Sequence, residues 1–95
     1  MSIDSKLIRE VDLNSLLTFM IVYEERSASR AAQKLNVTQP AVSNTLAKLR
    51  IYLSDPLFVR DHNELVPTRL ACSMAKELSP ALAAIQRAIE CARFA

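Results

Sequence analysis

Apolar residues recur every three or four positions in four stretches of the chain, which is the spacing of one face of a helix. The second stretch is short, and its stripe of small residues (Ala28, Ala31 and Ala32) lets a neighbouring helix approach closely. The third stretch places Val42 and Leu46 on one face. The pattern therefore predicts helices over about residues 12–25, 28–35, 39–53 and 68–92.

Three residues between the second and third helices read as a tight turn. Asn36 tolerates the left-handed backbone that such a turn needs, and Val37 is expected to plug the core at the corner. Thr38 is a good N-cap, and Pro40 falls in the first helical turn, where a missing N–H costs nothing.

Two short β-prone runs follow the turn signal Asp55-Pro56. They are residues 57–60 and 65–66, with the polar tip 61–64 between them, which predicts a small two-stranded wing. Thr68 then caps the last helix. Pro80 lies inside that helix and should kink it or break it into two.

The last helix is longer than a three-helix core can cover, because about 25 residues span roughly 37 Å. Its apolar stripe is therefore expected to meet a second copy of the chain and form a dimer. The stripe consists of Leu70, Met74, Leu78, Leu82, Ile85 and Ile89.

The composition limits the alternatives. The 95 residues fit one small, mostly α-helical domain, and a hydrophobic content of 51% excludes disorder. The absence of glycine argues against phosphate-cradling loops and many tight hairpins. The first residues lack the apolar core of a signal peptide, and no apolar run is long enough to span a membrane, so we expect a cytoplasmic protein.

Basic charge is concentrated in the middle of the chain. Residues 26–60 carry six basic side chains against Asp55 alone, whereas residues 1–25 are net acidic and residues 61–95 are neutral. A polyanion is the natural partner of such a segment, and a solvated helix surface is the alternative.

The sequence offers little chemistry for an enzyme or a metal site. The single histidine, His62, lies at the wing tip, and no Cys/His spacing fits zinc. We therefore expect no catalytic residue, no metal and no cofactor. Cys72 and Cys91 fall in one helix roughly 28 Å apart and cannot bridge within one chain. An antiparallel helix pair centred near Leu82 would bring Cys72 of one copy towards Cys91 of the other.

The second helix, the turn and the third helix together form a helix-turn-helix pattern. Gln39, Ser43 and Asn44 are short polar side chains at the N-terminal end of the third helix, the end that enters the major groove in such proteins. Gln and Asn can make paired hydrogen bonds to adenine, and Ser can contact a base or a phosphate. The pattern favours DNA binding, and a helix pair that simply packs is the alternative.

The run from Ser27 to Ser43, SASRAAQKLNVTQPAVS, resembles the N-terminal domain of LysR-type transcriptional regulators, and DPLFVR at 55–60 and LVPT at 65–68 resemble the wing and the start of the linker helix of that family. The resemblance covers about residues 10–92. It implies a winged helix-turn-helix of three helices and a two-stranded wing, followed by a long dimerisation helix. The implied division is an N-terminal extension at 1–11, a DNA-binding domain at 12–67 and a linker helix at 68–95.

The resemblance also implies roles for individual residues. The third helix would face the major groove, the start of the second helix would touch phosphates, and the wing would lie along the backbone or reach the minor groove. The expected DNA-binding residues are Ser29, Arg30, Thr38, Gln39, Pro40, Ser43, Asn44, Lys48, Arg60, His62 and Asn63. Much of the family has Arg at the position of Asn44, and many relatives have basic or glycine residues where this wing has Asp61 and Glu64.

The resemblance implies binding of double-stranded DNA as a dimer on a pseudo-palindromic operator, with RNA polymerase as a further partner of a full-length protein. Full-length members continue into a two-lobed effector-binding domain to which nothing here corresponds, so the chain is expected to be a DNA-binding fragment or a truncated regulator. The alternative is a dimerisation module that modulates a full-length partner without binding DNA.

Overall fold

The computed structural model describes residues 2–94; Met1 and Ala95, the outer ends of the expected extension and linker, lie outside the described residues. This part of the chain forms five helices and one antiparallel pair of strands. The elements are α1 (Ser5–Val11), α2 (Leu13–Glu25), α3 (Ala28–Leu35), α4 (Gln39–Leu53), β1 (Phe58–Asp61), β2 (Glu64–Pro67) and α5 (Arg69–Arg93). The predicted fold class, a mostly helical winged helix-turn-helix followed by a long helix, is confirmed.

A side chain caps the start of each described helix. Asp4, Asp12, Ser27, Thr38 and Thr68 each accept a hydrogen bond from the backbone N–H three residues later, over 2.8 to 3.3 Å. Each cap satisfies one of the N–H groups that a helix start leaves without a partner. The four predicted helices accordingly begin and end within one residue of the predicted positions.

The core is built on α2. Phe19 and Val22 are fully buried, and the ring of Phe19 packs against Phe58 of the wing with centroids 5.6 Å apart. Ala31 of α3 and Leu46 of α4 are buried in the same cluster. The small residues of α3 therefore do what the sequence indicated: they let α3 lie close against α2.

The helix α1 was not predicted from the sequence, which indicated only an extension before residue 12. Asp4 caps α1, and Val11 at its end packs partly against the core. Glu10 lines the same groove as Tyr52 of α4, and interaction with the Glu10 carboxylate raises the pKa of the Tyr52 phenol. The helix α1 thus meets the core through Val11 at its end.

Val37 does not plug the core, so that prediction was wrong. Its side chain is 47% exposed and lines an open cleft of about 200 Å³ beside Leu17 and Leu35. The turn is held through the backbone instead, because the Val37 N–H donates to the carbonyl of Ala32 over 3.0 Å. After the left-handed residue Asn36 the chain points outward, and the first buried residue beyond the turn is Val42.

The strands of the wing begin and end at different residues from those predicted. Leu57 lies before β1, fully buried and with a left-handed backbone (φ 65°), whereas Asp61 and Glu64 belong to the strands and pair with each other. The turn between the strands is therefore only His62-Asn63. Two like charges directly opposite each other oppose pairing, so the buried side chains of Phe58 and Leu65 hold the strands in place.

The helix α5 runs unbroken through Pro80, so the predicted break does not occur. Its first half belongs to the core, with Ala71 and Ala75 buried. Beyond Leu82 the apolar stripe leaves the core, and Ile85 and Ile89 are 37% and 55% exposed. The expected dimer stripe is therefore divided: Met74, Leu78 and Leu82 pack partly on their own chain.

Truncating a buried side chain of α4 should destabilise the fold, whereas truncating an exposed one on the same helix should not. Leu46→Ala removes a side chain that is 2% exposed, and we expect the free energy of unfolding to fall by about 2–5 kcal/mol. Ile51→Ala, at a residue that is 81% exposed, should change it by less than about 0.5 kcal/mol. Urea unfolding measures both, and equal effects would contradict the core assignment.

Candidate nucleic-acid interface

One face of α4 presents short polar side chains to solvent. The residues Gln39, Pro40, Ser43 and Asn44 are all exposed, while Val42 on the other side of the helix is buried. Because the buried face fixes the rotation of α4 about its axis, the exposed face cannot turn inward. The arrangement fits the N-terminal half of a helix that enters a DNA groove.

Three elements meet at the N-terminal end of this face. Ser29 of α3, Gln39 of α4, Arg60 of β1 and Asn63 of the wing turn all line one polar cleft of about 160 Å³. All four were predicted as DNA-binding residues, and the fold brings them together from three separate parts of the sequence. The cleft combines hydroxyl and amide groups with a guanidinium, which are groups that bind phosphate and base edges.

Two further polar residues line the cleft, Arg26 and Ser27, and neither was predicted to bind DNA. Arg26 has a left-handed backbone, and its guanidinium lies 4.8 Å from the centre of the Tyr23 ring. Its carbonyl accepts a hydrogen bond from the N–H of Leu65 over 3.0 Å, which fastens the wing to the start of α3. The signal available in the sequence was the basic charge of Arg26 next to a helix cap.

Arg30, predicted to touch phosphates, is exposed, but its guanidinium contacts Glu25. Its Nη2 donates to the main-chain oxygen of Glu25 over 2.5 Å, and its Nε lies 3.7 Å from the Glu25 carboxylate. Lys34 donates to the other oxygen of that carboxylate over 3.0 Å. This hydrogen bond and the charge of Glu25 raise the pKa of Lys34.

The remaining predicted residues lie around the cleft or away from it. His62 and Asn63 form the exposed wing turn, and His62 Nε2 lies 3.7 Å from the Asp61 carboxylate. Thr38 is exposed, and its hydroxyl is used as the cap of α4. Lys48 is exposed nearly three turns after Thr38 on α4, where it lines a different groove together with Glu10.

Within residues 2–94, no three His, Cys, Asp or Glu side chains are arranged to hold a metal ion. Over the same residues, no helix is both long enough and apolar enough to cross a membrane. The two cysteines, Cys72 and Cys91, are free and exposed on α5.

The fold and the exposed α4 face define the class of this domain as a winged helix-turn-helix. Residues 13–71 match the family model described as bacterial regulatory helix-turn-helix protein, lysR family. The chain therefore belongs to the LysR family of bacterial regulatory helix-turn-helix proteins, a family of transcription regulators and not of enzymes. The resemblance seen in the sequence is confirmed.

Individual relatives agree with this assignment. The transcriptional activator NahR of Pseudomonas putida is 42% identical over 83 residues, which are 87% of this chain and 28% of NahR. The structure of the probable transcriptional regulator PA0477 from Pseudomonas aeruginosa superposes with a TM-score of 0.84 at 38% identity and covers 90% of this chain and 28% of that one. The chain thus spans about a quarter of the length of the curated relatives it matches.

A solved DNA complex has the same fold. The structure of the BenM DNA-binding domain with benA site 1 DNA superposes with a TM-score of 0.77 at 26% identity and covers 88% of this chain and 99% of that one.

The cap at the start of α4 should contribute measurably to stability. In Thr38→Ala the N–H of Ala41 loses its acceptor, and we expect the free energy of unfolding to fall by about 1 kcal/mol. Thr38→Ser keeps the hydroxyl and should retain most of the stability. Urea unfolding compares the two variants, and an equal loss in both would show that the hydroxyl is not what matters.

Proposed function

We propose that this chain is the sequence-specific DNA-binding part of a LysR-type transcriptional regulator and binds double-stranded DNA. The main structural support for DNA binding is the cleft beside the exposed face of α4. It is lined by Ser29, Gln39, Arg60 and Asn63. The DNA complex of the BenM domain, which has the same fold, supports this proposal.

The proposed contacts divide into two kinds. Gln39, Ser43 and Asn44 project from the N-terminal half of α4 and would contact base edges in the major groove. Asn44 would favour adenine, because an amide offers one donor and one acceptor to its edge. Pro40 would pack against the groove wall between them.

The other residues would contact the phosphate backbone, which positions the protein without specifying sequence. They surround the base-reading face on the side of α3, along α4 and on the wing. This proposed set is Ser29, Arg30, Thr38, Lys48, Arg60, His62 and Asn63.

The chain is proposed to divide into an extension at 1–11, the winged helix-turn-helix at 12–67 and a linker helix at 68–95. The proposed dimer forms through this linker helix. Leu13 and Leu17 of α2 and Ile85 and Ile89 of α5 line an open apolar groove of about 500 Å³. A second α5 laid along this groove would bury the exposed part of the stripe. The dimer would place two copies of α4 on a pseudo-palindromic operator.

Such a regulator would act in the cytoplasm, where DNA and RNA polymerase are its partners. RNA polymerase contact belongs to the proposal for a full-length protein.

The two cysteines lie off the apolar stripe of α5. At 100° per residue, Cys91 falls on nearly the opposite side of the helix from Ile89, so a seam along the stripe would keep it away from the partner.

The base-reading residues should determine sequence preference. A duplex selected from a random pool should bind the unchanged chain more tightly than random duplex. Ser43→Ala and Asn44→Ala should each weaken the selected complex by about 1–3 kcal/mol while leaving random binding nearly unchanged. Fluorescence anisotropy with both duplexes measures this difference.

Ser73→Ala on α5 is the matched control, because Ser73 is exposed and lies on a different element from the α4 face. It should bind both duplexes like the unchanged chain. Equal losses on selected and random DNA for the α4 variants would overturn the groove assignment.

The dimer should depend on the exposed half of α5. Ile89→Glu places a charge in the apolar groove, and we expect the dimer dissociation constant to rise by about 10- to 100-fold through lost apolar burial. Ile51→Glu makes the same change at an exposed residue of α4 and should leave the dimer intact. Sedimentation equilibrium measures both, and an unaffected Ile89→Glu dimer would exclude this interface.

A further inference from the structure

Glu25 ends α2 and holds two cations of α3. Its Oε2 accepts a hydrogen bond from Lys34 Nζ over 3.0 Å, and its Oε1 lies 3.7 Å from Arg30 Nε. Arg30 also donates to the main-chain oxygen of Glu25. The Glu25 side chain is 24% exposed, whereas those of Arg30 and Lys34 are 55% and 59% exposed. The carboxylate is thus the more enclosed partner, and the two cations reach into solvent.

The position of this cluster matters because it lies beside the residues proposed to contact phosphates. Arg30 directly follows Ser29, which lines the polar cleft. A phosphate that approaches the start of α3 would meet two positive charges and the carboxylate that binds them. Ion pairs this exposed are weak in water, so an approaching polyanion can compete for the cations but must overcome their attraction to Glu25.

We propose that Glu25 acts as an electrostatic brake that lowers the affinity of the domain for any polyanion backbone by holding Arg30 and Lys34. This inference rests on the proposed function and adds a positioning residue that itself touches no DNA. The geometry points to competition, because the same guanidinium and ammonium groups cannot bind the carboxylate and a phosphate fully at once.

The electrostatics of Lys34 agree with this arrangement. Its pKa is raised first by the hydrogen bond to Glu25 and then by the charge of Glu25, with a smaller contribution from Glu24. Glu25 therefore interacts with Lys34 more strongly than its neighbour does, although both acids lie at the end of the same helix.

The test replaces the carboxylate by an amide of nearly the same shape. In Glu25→Gln the affinity for selected and for random duplex should rise by the same factor, about five- to tenfold at 0.1 M salt. The slope of log affinity against log salt should become more negative by about 0.9 for each additional phosphate contacted. Elution from heparin should shift to higher salt.

Two controls make the same change of charge elsewhere. Glu24→Gln removes the neighbouring acid, whose carboxylate makes no hydrogen bond or ion pair within residues 2–94, and Glu77→Gln removes an acid on α5. Both should shift affinity much less than Glu25→Gln. Equal shifts in all three variants would mean that only net charge matters and would overturn the inference.

A double-mutant cycle with Lys34→Gln supplies the second measurement, since this exposed change should not impair folding. Lys34→Gln should cost more affinity in the Glu25→Gln background than in the unchanged chain, because only there is the ammonium free. Additive effects of the two substitutions on affinity would overturn the inference. If the unchanged chain bound no duplex, the proposed function would fail, whereas the heparin elution of the same variants would still decide the role of Glu25.

Discussion

The whole domain depends on the burial of one face of α2. Phe19 and Val22 are completely enclosed, and α2 contacts each of the other described helices. The recognition helix is therefore not positioned by the turn before it alone. It is held against α2 by Val42 and Leu46, while α3 is drawn close by Ala31. Interiors are packed as densely as organic crystals, so a change in volume on α2 would displace the polar face of α4 as well as lower stability.

A second constraint joins the end of α4, the wing and the start of α5. One carboxylate oxygen of Asp55 accepts hydrogen bonds from the Leu57 N–H over 2.7 Å and from the Thr68 hydroxyl over 2.8 Å. Thr68 also donates its own N–H to the carbonyl of Leu57 over 2.8 Å. These bonds hold the left-handed backbone of Leu57, a conformation that a bulky residue adopts only when its surroundings impose it.

The sequence predicted most of the fold because its local signals were strong. Helical periodicity and good N-caps located α2 to α5, and the family motif located the residues that converge in the cleft. The errors occurred where local patterns carry little information. The helix α1 has only seven residues, too few for a clear period. The outward turn of Val37 and the buried, left-handed Leu57 are consequences of tertiary packing, which overrides the preference of an apolar residue for the core or for a strand.

The pairing of Arg30 and Lys34 with Glu25 could not be predicted from spacing, because the carboxylate and the ammonium are nine residues apart on different helices. Charge counting treated all three as independent, whereas the fold makes them one cluster. Counting included Arg26 but could not show its role, which comes from its carbonyl and its place beside the wing rather than from its charge.

The unbroken course of α5 has a mechanical consequence. Its first turns are embedded in the core through Ala71 and Ala75, and its capping residue is bonded to Asp55 at the foot of the wing. Its far end, at Arg93, lies roughly 27 Å beyond Ala75. The helix is therefore held inside the domain at its first turns, while its last turns extend beyond the core. Because the anchored end is bonded to the foot of the wing and packed in the core, the direction of the free half of α5 is fixed relative to the wing and the recognition helix.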